Sequence, residues 1–193
     1  MSNQPSEARV AVFIADGLEE IEGLTVVDLL YRAAIPCDTV SISHDRTVTS
    51  SHKVTIVCDR TIYDDDFSFT DYRLIVLPGG VPGTPNLAAC EPLIAELRRR
   101  MAEGQPVAAI CAAPTILAEL DLLKGRHATC YPDRQPTLIE RGAIVDAGNV
   151  VIDGNLTTSR GMGTAIDFAL SLIAQFKDQE EADRLSRAIV YTY

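Results

Sequence analysis

The residues whose types and spacing could do chemistry are few, and the first is Cys111. It ends the apolar run Val107-Ala108-Ala109-Ile110 and is followed at once by Ala112, Ala113 and Pro114. A buried strand that stops on a cysteine and turns into a helix pushes the thiol out of the sheet plane. There it meets the free N–H groups of the first helical turn, which favour negative charge and are expected to lower a thiol pKa. Ala112 and Ala113 leave space around the sulfur, and Pro114 fits the first turn, where a missing N–H costs nothing. The alternative is a plain buried cysteine, since free Cys packs well as a small hydrophobe.

Other stretches could supply partners. Glu22 lies one turn into an amphipathic segment, Glu19 to Ala34, and either faces solvent or points at the end of the preceding strand. Gly79 and Gly80 follow the apolar run Arg73 to Leu77 and either form a tight turn or expose backbone N–H groups able to hold an oxyanion. Gly161-Met162-Gly163 opens a helix over Thr164 to Gln175. GxGxxG and GxxxxGK[ST] are both absent, which argues against nucleotide phosphate binding. The acidic run Asp64-Asp65-Asp66 lacks the Gly turn and closing Glu of a calcium loop, so it is read as a solvated helix start with no metal.

The elements that must position these groups follow from periodicity. Arg9 to Ala15, Cys37 to Ser43, Arg73 to Leu77 and Pro106 to Ala112 read as strands. Two β runs between Thr47 and Asp59 read as a hairpin about Ser50-Ser51-His52-Lys53. Helices are expected over Glu19–Ala34, Pro85–Ala102, Thr115–Leu123, Thr137–Arg141 and Glu180–Val190. A short strand is expected over His127–Tyr131, two more within Ile144–Ser159 about Asp153-Gly154, and a docked tail after Val190. Repeated strand-to-helix units imply a mainly parallel sheet with helices on both faces and a ligand crevice beyond the carboxyl ends of the strands. Asp16 to Glu22, Gly79-Gly80, Cys111-Ala112 and Ser159 to Thr164 all lie just past such ends.

Composition narrows the function classes. The chain has 193 residues, 47% of them apolar, and a formal charge of -10. That suits one domain, residues 1–193, and argues against nucleic-acid binding. No apolar run is long enough to span a bilayer and Met1 to Glu7 is not signal-like, so a cytoplasmic, membrane-free protein is expected. Five cysteines, an odd number without CxxC spacing, indicate reduced thiols rather than a disulfide framework or zinc site.

Four ordered motifs then carry a resemblance: Asp16-Gly17-Leu18-Glu19-Glu20-Ile21-Glu22, Leu77-Pro78-Gly79-Gly80, Ala109-Ile110-Cys111-Ala112-Ala113-Pro114 and Thr158-Ser159-Arg160-Gly161-Met162-Gly163-Thr164. Together they resemble the ThiJ/PfpI family, most nearly the branch of the parkinsonism-associated protein deglycase and YajL. The resemblance implies a flavodoxin-like three-layer sandwich related to class I glutamine amidotransferase domains, a homodimer, and no cofactor. It implies Cys111 as an oxidation-sensitive nucleophile, Glu22 as the carboxyl group touching its sulfur, and the Gly80 and Ala112 N–H groups as the oxyanion site. Two anions in contact repel, so Glu22 is expected to be protonated and to donate to the thiolate.

The implied function is a stress-response activity on small aldehydes or glycated groups, of the glutathione-independent glyoxalase or protein deglycase type. The alternative is a non-catalytic oxidative-stress sensor or redox-regulated chaperone. A cysteine peptidase is disfavoured because Ala112 stands where peptidase-like members place histidine. A thiazole-phosphate biosynthetic role is disfavoured for want of a phosphate loop. Two departures stand out: Tyr131, a substrate-site candidate but a poor general base, occupies the position of a histidine common in the branch, and Met162 replaces a proline.

Overall fold

The computed structural model describes residues 9–191; the signal-peptide reading of Met1 to Glu7 and the last two tail residues lie outside them. The amino-terminal half runs β1 (Arg9–Ile14), α1 (Glu20–Arg32), β2 (Cys37–Ser41), β3 (Thr47–Thr49), β4 (Thr55–Val57), β5 (Arg60–Thr61), β6 (Tyr72–Leu77), α2 (Gly83–Ala88) and α3 (Glu91–Glu103). The remainder runs β7 (Val107–Ile110), α4 (Pro114–Glu119), β8 (His127–Ala128), α5 (Gln135–Glu140), β9 (Ile144–Val145), β10 (Val150–Asp153), β11 (Leu156–Ser159), α6 (Ala165–Phe176) and α7 (Gln179–Ala188).

The main sheet has seven strands in the order β10-β11-β7-β6-β1-β2-β5. Every pairing in it is parallel except β10 with β11. Alternation along β1 explains the three layers. Ala11 and Phe13 face a core shared with Leu87, Leu93, Leu97, Ile116 and Leu138 of α2 to α5. Val10, Val12 and Ile14 face a second core with Val26, Leu30, Phe168, Leu172 and Leu185 of α1, α6 and α7. Period-two side chains on a parallel sheet need cover on both faces, and the crossover helices supply it. The fold is thus the flavodoxin-like α/β sandwich. β3 and β4 form the expected hairpin, separate from the main sheet. Among the described residues, no helix is long and apolar enough to cross a membrane.

Several boundaries differ from the sequence reading, each for a local reason. The helix expected over 85–102 is two helices, because the Pro92 ring would collide with the carbonyl of residue 88 in a continuous one. The helix expected over 115–123 stops at Glu119, and Asp121 takes a left-handed φ of 60°. Residues 64–66 do not start a helix. They form a turn in which Asp64 accepts from Thr61 and Arg46, and Asp66 pairs with Arg60. The strand expected through Tyr131 ends at Ala128, leaving Tyr131 in the following turn. The tail docks as far as it is described, with the Tyr191 hydroxyl donating to Asp167 at 2.8 Å.

The chain returns across β1 between β2 and β6, so the sheet changes winding direction between β1 and β6. Crevices open at the carboxyl ends of strands beside such a switch. Residues 15–19, 78–80 and 111–112 all follow these ends.

Candidate active site

The strand β7 stops at Ile110 because Cys111 adopts a left-handed φ of 65°. A non-glycine residue there is strained by about 1–3 kcal/mol and persists only where its surroundings hold it. The Cys111 N–H donates to the Ser159 carbonyl at 3.0 Å, and its own carbonyl accepts from the Tyr131 N–H at 2.8 Å. The chain therefore makes a sharp strand-to-helix corner that presents a partly buried sulfur above the sheet. The Gly80 and Ala112 N–H groups both face that sulfur and favour its charged form.

Glu22 comes from α1 and is 1% exposed, which excludes the solvent-facing alternative. Its Oε2 accepts from the Gly79 N–H at 2.9 Å, and its carboxyl is oriented toward the Cys111 thiol and the Met162 backbone, both of which favour its charged form. Gly79 corrects one sequence expectation. Its N–H is engaged by Glu22 and its carbonyl by Glu19, so it is a spacer and not an oxyanion donor. A Cβ at Gly79 would stand 2.7 Å from Cys111 Cβ and 2.8 Å from Glu22 Oε2, so only glycine lets the carboxyl and the thiol meet. Gly80, with φ 102°, leaves its N–H directed at the sulfur.

The expectation that the helix start lowers the thiol pKa fails for this geometry. Burial, then the adjacent Glu22 charge and hydrogen bond, push Cys111 up to about 12, outweighing the Ala112 and Gly80 N–H groups. Burial likewise lifts the Glu22 carboxyl to about 7, against the hydrogen bonds from Cys111 and Gly79. Between about pH 7 and 12 the two acids hold one proton between them. When it sits on Glu22, the opposing charge on the thiolate disappears while both backbone donors remain. The reactive form is therefore the thiolate with a neutral Glu22. Burial also pushes Cys37 and Cys130 to about 12 and Cys58 to about 11. What separates Cys111 from them is its pair of facing N–H donors and its proton-sharing carboxyl.

The fourth wall comes from residues that the sequence placed near the site without a role. Gly161 packs against three of the site residues: a Cβ there would lie 3.5 Å from Tyr131 Cδ2, 3.8 Å from Glu22 Oε1 and 3.9 Å from Cys111 Sγ. Tyr131 thus reaches the site with its ring and is 45% exposed, whereas His127 points elsewhere, to Asp146. Met162 contributes its backbone to Glu22 while its side chain is exposed. Only the Gly-Met-Gly spacing hinted at these contacts. Among the described residues, one group could hold a metal ion: Glu19, Glu20 and exposed His52, on the surface. The Cys111 pocket is not part of it.

A mainly parallel sandwich with a cysteine at a strained corner, facing a buried carboxyl, defines a class of thiol-centred α/β proteins. The chain belongs to the DJ-1/PfpI family, whose model matches residues 8–175. It is 38% identical to the Drosophila melanogaster protein DJ-1alpha over 193 residues, covering 100% of this chain and 88% of that one. It is 37% identical over 181 residues to the Arabidopsis thaliana protein DJ-1 homolog B, covering 93% of this chain but only 40% of that longer relative. The solved structure of oxidised Toxoplasma gondii DJ-1 is similar with a TM-score of 0.87 at 30% identity, covering 96% of this chain and 100% of that one.

Proposed function

We propose that the protein is a cofactor-independent enzyme acting on 2-oxoaldehydes, free or as adducts on thiols and amines, with Cys111 as nucleophile and Glu22 as proton shuttle. The observation that carries this reading is the buried Glu22 carboxyl set against Cys111, with the Gly80 and Ala112 N–H groups on the same sulfur. Glyoxalase-type chemistry needs a thiolate, a shuttle able to hold and release a proton near neutral pH, and a site for a developing oxyanion.

For methylglyoxal the sequence balances without a cofactor. The Cys111 thiolate adds to the aldehyde carbon, and the new alkoxide sits on the Gly80 and Ala112 N–H groups and takes the proton of Glu22. The Glu22 carboxylate then removes the hydrogen of that carbon and returns a proton to the neighbouring one, as the hydroxyl proton passes to the second oxygen. This oxidises one carbon and reduces the other. The resulting Cys111 thioester is cleaved by water, releasing lactate and one proton, and the thiolate with protonated Glu22 is restored. Tyr131 has no part as a base; its ring closes the pocket.

Lactate formation from methylglyoxal by purified protein is the test. Wild type should turn over, Cys111→Ala should not, and Glu22→Gln should lose about 10²- to 10⁴-fold in rate. Equal slow rates in all three would reject the enzyme. The second reading, an oxidation sensor, is favoured by the same carboxyl, which can hydrogen-bond a sulfinate oxygen. Under mild peroxide, mass spectrometry should find oxygen on Cys111 before Cys37, Cys58, Cys90 or Cys130. The proposal includes a homodimer in a reducing compartment such as the cytoplasm. Free thiols and exposed Ile21, Tyr31 and Val190 fit it, and sedimentation measures the oligomer.

A further inference from the structure

Thr164 is the N-cap of α6, yet its side chain does not cap that helix. A threonine in this position ordinarily accepts from an N–H of the first helical turn. This one is turned back on the preceding loop: its Oγ1 accepts from the Gly161 N–H at 3.1 Å and lies 2.7 Å from Ser159 Oγ. Ser159 ends β11 and is fully buried, and its Oγ donates to the Asn149 carbonyl at 2.7 Å. Each hydroxyl has a single proton to give. With the Ser159 proton committed to Asn149, Thr164 is the donor between the two hydroxyls. The chain then runs one way, from the Gly161 N–H through Thr164 and Ser159 to Asn149. Asn149 is itself anchored, its Nδ2 donating to Asp167 of α6 at 2.9 Å.

What this chain holds is the wall of the Cys111 pocket. Gly161 packs against Tyr131, Glu22 and the sulfur, and Met162 turns its backbone toward the Glu22 carboxyl. Side chains do little to fix that wall, because Gly161 has none and that of Met162 is exposed. Ser159 acts on the opposite side of the pocket as well, since its carbonyl accepts from the Cys111 N–H at 3.0 Å. One buried residue therefore ties the left-handed corner through its backbone and the Gly161–Met162 wall through its hydroxyl. Fully satisfied buried hydroxyls of this kind rigidify the backbone they join.

We propose that Thr164 and Ser159 are positioning residues for the Cys111–Glu22 pair, their hydroxyl chain holding the Gly161–Met162 backbone against the carboxyl. The inference concerns the geometry of the pair and stands apart from the reaction proposed above, which uses the same two groups. The groups that bear on Glu22 are the Cys111 thiol, the Gly79 N–H, the Met162 backbone and the charge of Glu19 at the start of α1. Of these, the thiol and the two backbone groups favour the carboxylate, whereas Glu19, like burial, disfavours it. Releasing Met162 removes support from the charged form, so Glu22 should then hold its proton to higher pH.

The pH dependence of Cys111 alkylation by iodoacetamide tests this on the full chain, with mass spectrometry to assign the modified thiol. In wild type the rate should rise through the first titration of the pair, at about 7. Thr164→Val keeps the side-chain shape and removes the hydroxyl; it should move that inflection up by about one pH unit, the worth of one hydrogen bond to a charged group. Thr164→Ser restores the hydroxyl and should keep the wild-type inflection. Ser159→Ala should move it in the same direction by less, because the Thr164 hydroxyl can turn to the Gly161 carbonyl 2.9 Å away. An inflection unmoved in Thr164→Val or in Ser159→Ala, or moved as far in Thr164→Ser, would overturn the proposal. A lowered denaturation midpoint with an unmoved inflection would overturn it too, by assigning the hydroxyls to stability alone. No turnover is read, so a protein that forms no lactate yet shows these shifts keeps the positioning role and loses the proposed reaction.

Discussion

Two buried acid sites lie at opposite ends of the sheet, and they resolve the same electrostatic problem in opposite ways. At the amino-terminal end of β6 and β7, Glu96 is 6% exposed and Arg100 is 1% exposed. Arg100 Nε donates to Glu96 at 2.7 Å, while its terminal nitrogens donate to the carbonyls of Arg73, Pro106, Phe69 and Tyr72. Arg99 adds two further hydrogen bonds to the Glu96 carboxylate. At the carboxyl-terminal end, Glu22 is buried just as deeply but faces another acid and no cation. Burial works to raise the pKa of both carboxyls. At Glu96 the arginines outweigh it and the carboxyl is lowered; at Glu22 nothing does, and it rises to about 7. A buried charge with matched partners ties strands together, whereas one without a counter-ion keeps a proton that it can give away.

The largest expected break in this contrast is Arg100→Ala. It leaves four carbonyls without their donor and the Glu96 charge with Arg99 as its remaining partner, so unfolding by denaturant should show a loss of about 3–5 kcal/mol. Folded molecules should still alkylate Cys111 at the wild-type rate. A concurrent Glu96→Leu should recover part of the loss, and failure to do so would mean that the carbonyl contacts, not the ion pair, dominate.

Glu22→Gln sharpens the contrast through pH. Glu22 has a folded pKa raised above its unfolded value near 4.5, so its protonated form is favoured in the folded state. Its stabilising contribution is full below about pH 4.5 and is lost as pH rises through about 7. Relative to wild type, Glu22→Gln should therefore gain on the order of 3 kcal/mol between pH 4.5 and 8, read from denaturation midpoints. Glu96 has the opposite sign. Its folded pKa is lowered, so its contribution is present above the unfolded value and fades as pH falls toward the folded one. Glu96→Gln should accordingly flatten the acid limb of the stability profile and leave the neutral limb unchanged.

The smallest effect belongs to the corner itself. Cys111→Gly relieves the left-handed backbone and should raise stability by about 1 kcal/mol, measured by thermal denaturation, while abolishing turnover. A stability loss instead would show that sulfur packing outweighs the backbone strain.

Much of this arrangement could be read before folding. The apolar runs over 9–15, 73–77 and 107–110 are long enough and flanked clearly enough by Gly and Pro to fix a parallel, doubly covered sheet. That topology alone collects 16–22, 79–80, 111–112 and 159–164 at one edge. Breaks inside helices were harder. Pro92 was visible, but a proline in the first turn of a new helix and one in the interior of an old one look alike locally. The turn over Asp64 to Asp66 depends on Arg46 and Arg60, whose approach is set by the hairpin and by β5.

The sequence by itself determined the sheet, the corner and the identity of the thiol, because strand periodicity, glycine placement and a small-residue turn are local properties. Only the tertiary structure decided that Glu22 is buried against Cys111, that Gly79 serves the carboxyl and not the oxyanion, and that the thiol pKa is raised. Those outcomes depend on which dipoles and charges converge through space and on how much water they exclude. Desolvation and Coulomb forces act on distances that α1, β6 and β7 acquire only when they pack together.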